Sequence, residues 1–270
     1  MRDLDEFFNT LWLQYVSITP QALAIHGLFE KQDECIVNDH VAFRTLAQSC
    51  MNIESLEPQI LAFGYTVFDE YHFKQKKLYA RSYVHPKHPA KIFLSELLWP
   101  QLSLAVQDII KSQLDHINAQ QQINLHTGRL WPLPSFQTYQ TLLSESEYAA
   151  WFSIWGLRAN HFTASLNHFK RYQNIADVLT LLNENGFAMN ESGGLIKGQE
   201  QDCLRQASTL ADKVSLTFKD QGPKEICSCY YEFAQRFKQK NGLLYQGFVT
   251  ASADKIFEST HAESTHAEGH

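Results

Sequence analysis

The sequence contains one segment that occurs twice, and each copy carries a histidine at the same position of a predicted strand. Residues 39–45 read DHVAFRT and residues 160–166 read NHFTASL, with His40 and His161 in matching places. In both copies a helical stretch follows and ends at a glycine, 24 or 25 residues after the histidine. Self-similarity of this kind predicts two equivalent structural units. Because paired units can bring the two histidines face to face, the repeat also predicts a metal site.

Composition and charge limit the classes of partner and compartment. The 270 residues are 44% hydrophobic and 19% charged, with a formal net charge of −6. We expect no nucleic-acid partner, because such proteins carry a basic stripe that is not seen here. We expect no membrane association, because no apolar run approaches the roughly 18 residues of a spanning helix. The acidic N-terminus does not resemble a signal peptide, and five cysteines, an odd number, predict reduced thiols and a cytoplasmic location.

Periodicity divides the chain into five parts. Residues 1–35 carry the apolar spacing of helices, and residues 36–98 predict a β-α-β-β-β module. Residues 99–157 predict a helical insertion that covers the sheet and can act as a lid. Residues 158–258 predict the second β-α-β-β-β module, and residues 259–270 a disordered tail with no core-forming residue. The predicted fold class is α+β, with two pseudo-repeated modules that form a curved mixed sheet around a metal site.

Individual elements follow from the alternation of β-formers and from helical spacing. In the first module we expect a strand over 36–45, a helix over 52–63, and strands over 65–70, 78–85 and Lys91–Leu97. In the second module we expect the helix Ile175–Glu184 and the strands Lys213–Phe218 and 226–237. The dipeptide Asn241-Gly242 is a strong hairpin signal, and it predicts a returning strand over 243–251.

Strand periodicity places polar chemistry on one face of each repeated strand, because successive side chains point to opposite faces. In the first strand His40 shares its face with Ala42 and Arg44, so that a small residue separates an imidazole from a guanidinium. In the second strand His161 shares its face with two small polar residues. A single strand histidine is usually a packing or surface residue. Two histidines at equivalent positions favour a shared function instead.

A third metal ligand is expected on the last strand of one of the modules. Glu232 lies among aromatic residues there in the second module, and a buried carboxylate needs either a partner or a metal. The corresponding stretch of the first module contains Glu96, and the residues alone leave both carboxylates open. Two histidines and one carboxylate on one side of a metal are typical of non-haem Fe(II) oxygenases.

Four segments resemble a known protein family. Residues 38–45 (NDHVAFRT), 158–163 (RANHFT) and 231–236 (YEFAQR) are similar to the three signature segments of the 2-oxoadipate dioxygenase/decarboxylase family, and residues 247–257 resemble its closing segment. That family is distantly similar to the vicinal-oxygen-chelate superfamily. The resemblance implies that His40, His161 and Glu232 hold Fe(II), and it chooses Glu232 over Glu96.

The resemblance also implies a substrate site and a reaction. The two histidine ligands border the substrate, Arg44 binds a substrate carboxylate, and the backbone near Ala251 and Ser252 contacts the substrate. A guanidinium suits this role because it binds a carboxylate bidentately and stays charged. The implied reaction converts 2-oxoadipate or a similar 2-oxo acid, with O2, to 2-hydroxyglutarate and CO2, a step of lysine catabolism. Substrate and co-substrate are then one molecule, and free 2-oxoglutarate is not required.

Two other functional classes are compatible with the same residues. One is a metal-dependent isomerase, lyase or hydrolase on the same paired-module scaffold. Such a site usually recruits a fourth protein ligand, so Glu96 at the metal would favour this class. The other is a non-catalytic protein that binds a small molecule. A protein of that kind has no need for three metal ligands.

Overall fold

A curled, seven-stranded mixed sheet forms the centre of the structure, a computed structural model that describes residues 3–256 except the side chain of Asp254. The strands are β1 Asn38–Leu46, β2 Thr66–Phe73, β3 Leu78–Val84, β4 Lys91–Leu97, β5 Ala159–Ser165, β6 Leu204–Ser208, β7 Lys213–Phe218, β8 Gly222–Cys227 and β9 Tyr230–Arg236. The order across the sheet is β2-β3-β4-β1-β5-β9-β6. The predicted α+β class with a curved mixed sheet is confirmed. The predicted tail, 259–270, lies outside the described residues.

Eight α-helices occur in the described part of the chain. They are α1 Leu4–Val16, α2 Pro20–Glu30, α3 Ile53–Leu61, α4 Leu104–Leu114, α5 Phe136–Glu145, α6 Glu147–Trp155, α7 Ile175–Glu184 and α8 Thr250–Ile256. Side-chain caps fix several of their starts, as where Asn52 accepts a hydrogen bond from the Ser55 N–H at α3 and Asn174 one from the Ala176 N–H at α7. Within residues 3–256 no helix is both long and apolar enough to cross a membrane.

The two copies of the repeat build the two halves of the sheet. In the first half β1 pairs in parallel with β4, and β3 and β2 continue the sheet in antiparallel order, as expected for a β-α-β-β-β module. In the second half β5 pairs in parallel with β9, and β6 pairs antiparallel with β9. The repeated strands β1 and β5 are antiparallel neighbours at the centre of the sheet. The duplication therefore places its two histidine-bearing strands side by side.

The second half departs from the predicted regular module. Between α7 and the unpredicted strand β6 the chain makes two isolated bridges, at Met189 and Lys197, and one short 3-10 helix, Glu200–Asp202. The predicted strand Lys213–Phe218 forms, but it pairs with β8 in a separate two-stranded ribbon. Val214, Leu216 and Phe218 form the more buried face of β7, but the backbone ladder of this strand is made with β8 and not with the central sheet.

The predicted returning strand over 243–251 is wrong. The turn at Asn241-Gly242 does form, since the Gln239 N–H donates to the Leu243 carbonyl at 2.8 Å. Beyond one isolated bridge at Leu244, however, the chain leaves the strand path and enters α8. The guanidinium of Arg236 donates hydrogen bonds to the carbonyls of Tyr245 and Gly247. These acceptors are therefore not available to the ladder of a returning strand. A hairpin dipeptide predicts the turn, not the length of the paired strands.

The central strands have two faces with different partners. The outer face carries Phe162 and Phe233, which pack against the aromatic side chains of α1 and α2. The inner face carries His40 and His161. Helix α6, from the predicted insertion, packs near β1 on the inner side, and all of its residues from Tyr148 to Trp155 are buried. A helix that is apolar all round belongs in a protein interior.

Candidate metal centre

Strand register brings the three predicted ligands together on the inner face. Across β1 and β5, His40 lies opposite Thr163, and Ala42 lies opposite His161. The two histidines are therefore diagonal neighbours, and their Nε2 atoms are 3.3 Å apart. Across β5 and β9, Thr163 lies opposite Glu232. Since Thr163 and Ala42 are small, the longer side chains can converge above them.

The converging atoms have the spacing of a metal site. The Nε2 atoms of His40 and His161 lie 3.7 and 3.4 Å from the Glu232 carboxylate oxygens, and the three ligand atoms are all within 4.8 Å of one another. Among the described residues no other group of histidine, cysteine or acidic side chains meets this criterion. All three side chains are buried.

The electrostatics of these residues fit a bound cation. Burial raises the pKa of Glu232 to about 8, although a 2.6 Å hydrogen bond from Gln206 partly opposes this. The second oxygen of Glu232 has no hydrogen-bond donor in the described part of the chain. Burial lowers the pKa of both His40 and His161, which favours the neutral imidazole that metals bind. A divalent cation would satisfy the orphaned carboxylate oxygen and offset its desolvation.

The residue before each histidine orients the ring. The Nδ1 atom of His40 lies 2.8 Å from a carboxylate oxygen of Asp39, and that of His161 lies 3.1 Å from the amide oxygen of Asn160. Both oxygens accept a hydrogen bond, so each ring carries its proton on Nδ1 and presents an unprotonated Nε2 to the centre; that of His40 lies 3.1 Å from the Thr163 hydroxyl. Such partners behind a metal-binding histidine fix its tautomer and raise its basicity.

A buried ion pair supports this arrangement on the His40 side. The Arg236 guanidinium donates from Nε and Nη2 to the two oxygens of Asp39 at 2.7 and 2.8 Å. Burial alone would raise the pKa of Asp39, but the positive charges of Arg236 and Lys91 hold it well below its usual range. Sequence reasoning missed Arg236 as a supporting residue. The only signal was its place at the end of the quoted segment 231–236.

Arg44 lies on the inner face beside this centre, as the alternation of its strand predicts. Its Nη1 donates to both oxygens of Glu147 in α6, at 2.7 and 2.9 Å. The rings of Tyr148 and Trp151 flank the guanidinium, each at 5.0 Å. Arg44 is only 1% exposed, and its Nε and Nη2 have no acceptor within residues 3–256. These N–H groups can donate hydrogen bonds to an anionic oxygen.

Glu96 is not part of the cluster, and its expected equivalence to Glu232 is wrong. Glu96 lies opposite Thr45 on the outer face, where it accepts a hydrogen bond from the Ile53 N–H at 2.9 Å. By register, the counterpart of Glu232 in the first half is Phe93, which lies opposite Ala42. The symmetric position therefore holds an aromatic ring. The cluster supplies three protein ligands, not four.

Phe248 is a second residue at the centre that sequence reasoning missed. Its ring centroid lies 4.8 Å from that of His40 and 4.8 Å from that of Phe93. Ser252 follows in the first turn of α8 and is buried, whereas Ala251 is exposed. The predicted substrate contact at these two positions stays a prediction.

Comparison with known proteins gives one consistent family. The family model for 2-oxoadipate dioxygenase/decarboxylase matches residues 16–127 and 111–241. A chloroplastic 2-oxoadipate dioxygenase/decarboxylase of Arabidopsis thaliana is 34% identical over 96% of this chain and 79% of its own length.

Two crystal structures of similar proteins have the same fold. A protein of Shewanella frigidimarina, provisionally described as a hydrolase, is 42% identical with a TM-score of 0.86, over 93% of this chain and 99% of the other. The hydroxyglutarate synthase of Oryza sativa in complex with 2-oxoadipate is 31% identical with a TM-score of 0.84, over 96% of this chain and 93% of the other.

Proposed function

The chain belongs to the 2-oxoadipate dioxygenase/decarboxylase family, and from that premise we propose that it is a non-haem Fe(II) enzyme acting on 2-oxoadipate or a similar 2-oxo acid. In the proposed reaction one 2-oxoadipate and one O2 give one 2-hydroxyglutarate and one CO2. The observation that carries the proposal is the buried convergence of His40, His161 and Glu232. Neutral imidazoles and a carboxylate are the donors of the Fe(II) oxygenase triad.

Three protein ligands leave coordination positions for the substrate. Fe(II) in this centre would supply a Lewis acid for the 2-oxo carboxylate and electrons for the reduction of O2. The chain's own contribution is position and environment. Arg44 offers two unpaired nitrogen donors, Nε and Nη2, to a substrate carboxylate, and Glu147 holds the guanidinium in place. The burial of all these groups excludes water and strengthens each electrostatic contact.

The metal-dependent isomerase, lyase or hydrolase class has less support. Its expected fourth ligand, Glu96, is hydrogen-bonded at the start of α3, and Phe93 holds the symmetric position. A protein that only binds a small molecule would not need a buried carboxylate whose second oxygen lacks a donor among the described residues. We also propose that the protein is located in the cytoplasm and acts in lysine catabolism. The compartment is supported by five free cysteines.

The first test is turnover with a single organic substrate. Anaerobically purified protein loaded with Fe(II) is expected to consume O2 and release CO2 in equal amounts when 2-oxoadipate is added without 2-oxoglutarate. An oxygen electrode, a CO2 assay and chromatographic detection of 2-hydroxyglutarate measure the three species. Absence of turnover across a panel of 2-oxo acids would overturn the proposal.

Arg44→Lys tests the carboxylate contact. Lysine keeps the charge but loses the planar fork, so it cannot hold Glu147 and a substrate carboxylate together. We expect kcat/KM for 2-oxoadipate to fall roughly tenfold to a hundredfold, as for one buried hydrogen bond to a charged group. Arg81→Lys is the matched control, since Arg81 pairs with Glu57 and Glu70 at the surface of β3. Unchanged kcat/KM in Arg44→Lys would make Arg44 purely structural.

A further inference from the structure

The hydroxyl of Tyr230 is a polar group that the proposed function leaves unused. Tyr230 is completely buried, and its hydroxyl has no hydrogen-bond partner in the described part of the chain. Its ring stacks on the ring of His161, with centroids 4.7 Å apart and planes 23° apart. Buried hydroxyls in proteins are nearly always hydrogen-bonded, so an orphaned one at a functional site needs an explanation.

The position of Tyr230 in β9 directs this hydroxyl into the site. Tyr230 lies opposite His161 and, two residues before Glu232, on the same inner face. The hydroxyl is within electrostatic range of the Arg44 guanidinium and of the carboxylates of Glu147 and Glu232. It therefore lies near both the metal ligand Glu232 and the Arg44–Glu147 pair.

The unpaired groups in this space are complementary to a carboxylate. Arg44 contributes the N–H groups of Nε and Nη2, and Tyr230 contributes an O–H, and none of the three has an acceptor within residues 3–256. Three unpaired donor atoms near a metal centre match the two oxygens of a carboxylate, which accept several hydrogen bonds.

We propose that the Tyr230 hydroxyl donates a hydrogen bond to the substrate carboxylate that Arg44 binds, and thereby positions the 2-oxo acid beside the metal centre. This inference rests on the proposed function and adds a substrate-binding residue to it. The stacked ring fixes the hydroxyl against His161, so the contact needs no rearrangement of the protein.

The next residue of the same strand provides a matched control. Tyr231 is also completely buried, but it points to the outer face, where its hydroxyl lies 2.8 Å from Nε2 of His26. Replacing either tyrosine by phenylalanine removes one oxygen and keeps the ring. The two variants therefore compare an unpaired hydroxyl at the site with a satisfied hydroxyl in the core.

The experiment measures KM, metal content and thermal stability for Tyr230→Phe and Tyr231→Phe. In Fe(II)-loaded Tyr230→Phe we expect the KM for 2-oxoadipate to rise roughly tenfold to a hundredfold, the effect of one hydrogen bond to a charged group. Its metal content should be unchanged, and the Tm of the substrate-free protein unchanged or higher, because an unsatisfied buried hydroxyl is removed. Tyr231→Phe should keep its KM and lose Tm.

Other results would overturn the inference. An unchanged KM in Tyr230→Phe would mean that the hydroxyl does not touch substrate, and loss of stoichiometric metal would mean that it serves the metal instead. If the wild type shows no turnover, the proposed function has failed, and calorimetric titration of metal-loaded protein with 2-oxoadipate replaces KM. Weaker binding of 2-oxoadipate to Tyr230→Phe than to the wild type then supports the contact between the Tyr230 hydroxyl and the carboxylate. Equal binding overturns it.

Discussion

His161→Ala is expected to abolish stoichiometric metal binding and turnover. The three ligand atoms of His40, His161 and Glu232 form the whole cluster, and no other group of this kind lies among the described residues. Substitution of a residue that hydrogen-bonds to a metal ligand already weakens metal binding by about 10- to 100-fold. Loss of a ligand itself should exceed that range. Metal analysis after dialysis, together with O2 uptake, measures both effects.

His26→Ala is the control for this substitution. His26 is half-buried on the outer face, next to Trp12 and hydrogen-bonded to Tyr231, and burial lowers its pKa to about 4. This variant should lose some stability but keep its metal and its turnover. Added Fe(II) should raise the Tm of the wild type and of His26→Ala, but not that of His161→Ala, because binding to the folded state alone stabilises it. Stoichiometric iron in purified His161→Ala would contradict the ligand set.

Arg236→Met is expected to cause the largest loss of stability. Arg236 and Asp39 are 4% and 2% exposed, and they are joined by two short hydrogen bonds. Removing one partner of a buried ion pair leaves an uncompensated charge, which costs about 3–5 kcal/mol of unfolding free energy. The variant also frees the carbonyls of Tyr245 and Gly247. Chemical denaturation of metal-free protein measures the loss, and an unfolding free energy within about 1 kcal/mol of wild type would contradict the prediction.

The repeat also offers two matched variants that test how much the Arg236–Asp39 ion pair stabilises the fold. Asn160 occupies in the second copy the place of Asp39 in the first, and both accept a hydrogen bond from the following histidine. Asp39→Asn keeps an acceptor for His40 but removes the negative charge facing Arg236. It should lose stability by a similar mechanism and keep much of its metal affinity. Asn160→Asp should lose stability as well, since Asn160 is buried and a charge placed there is costly unless it is paired.

Some elements could be predicted almost to the residue. The strand Lys91–Leu97 and the helix Ile175–Glu184 have their predicted bounds, because a strong apolar pattern and a cap or turn mark both ends. Strand β6 was missed because Gln206 and Ser208 are polar yet buried. Gln206 is inside because it donates to Glu232. A strand that serves a polar site loses the alternation by which strands are recognised.

The sequence by itself determined that two histidines occupy equivalent strands, because a duplication is visible in the residues alone. It also determined that Arg44 shares a face with His40, because strand alternation is local. Only the tertiary structure decided which carboxylate joins them. Glu96 and Glu232 look equivalent along the chain, yet strand register carries Glu232 to the inner face and Glu96 to the outer face.

The supporting contacts were likewise decided by tertiary structure. Glu147 reaches Arg44 across 103 residues, and Arg236 reaches Asp39 across 197 residues. No local pattern encodes such pairs, because they depend on how helices and strands from distant parts of the chain pack together. Local periodicity tells which side of a strand a residue occupies, whereas pairing register and packing determine which residues it meets there.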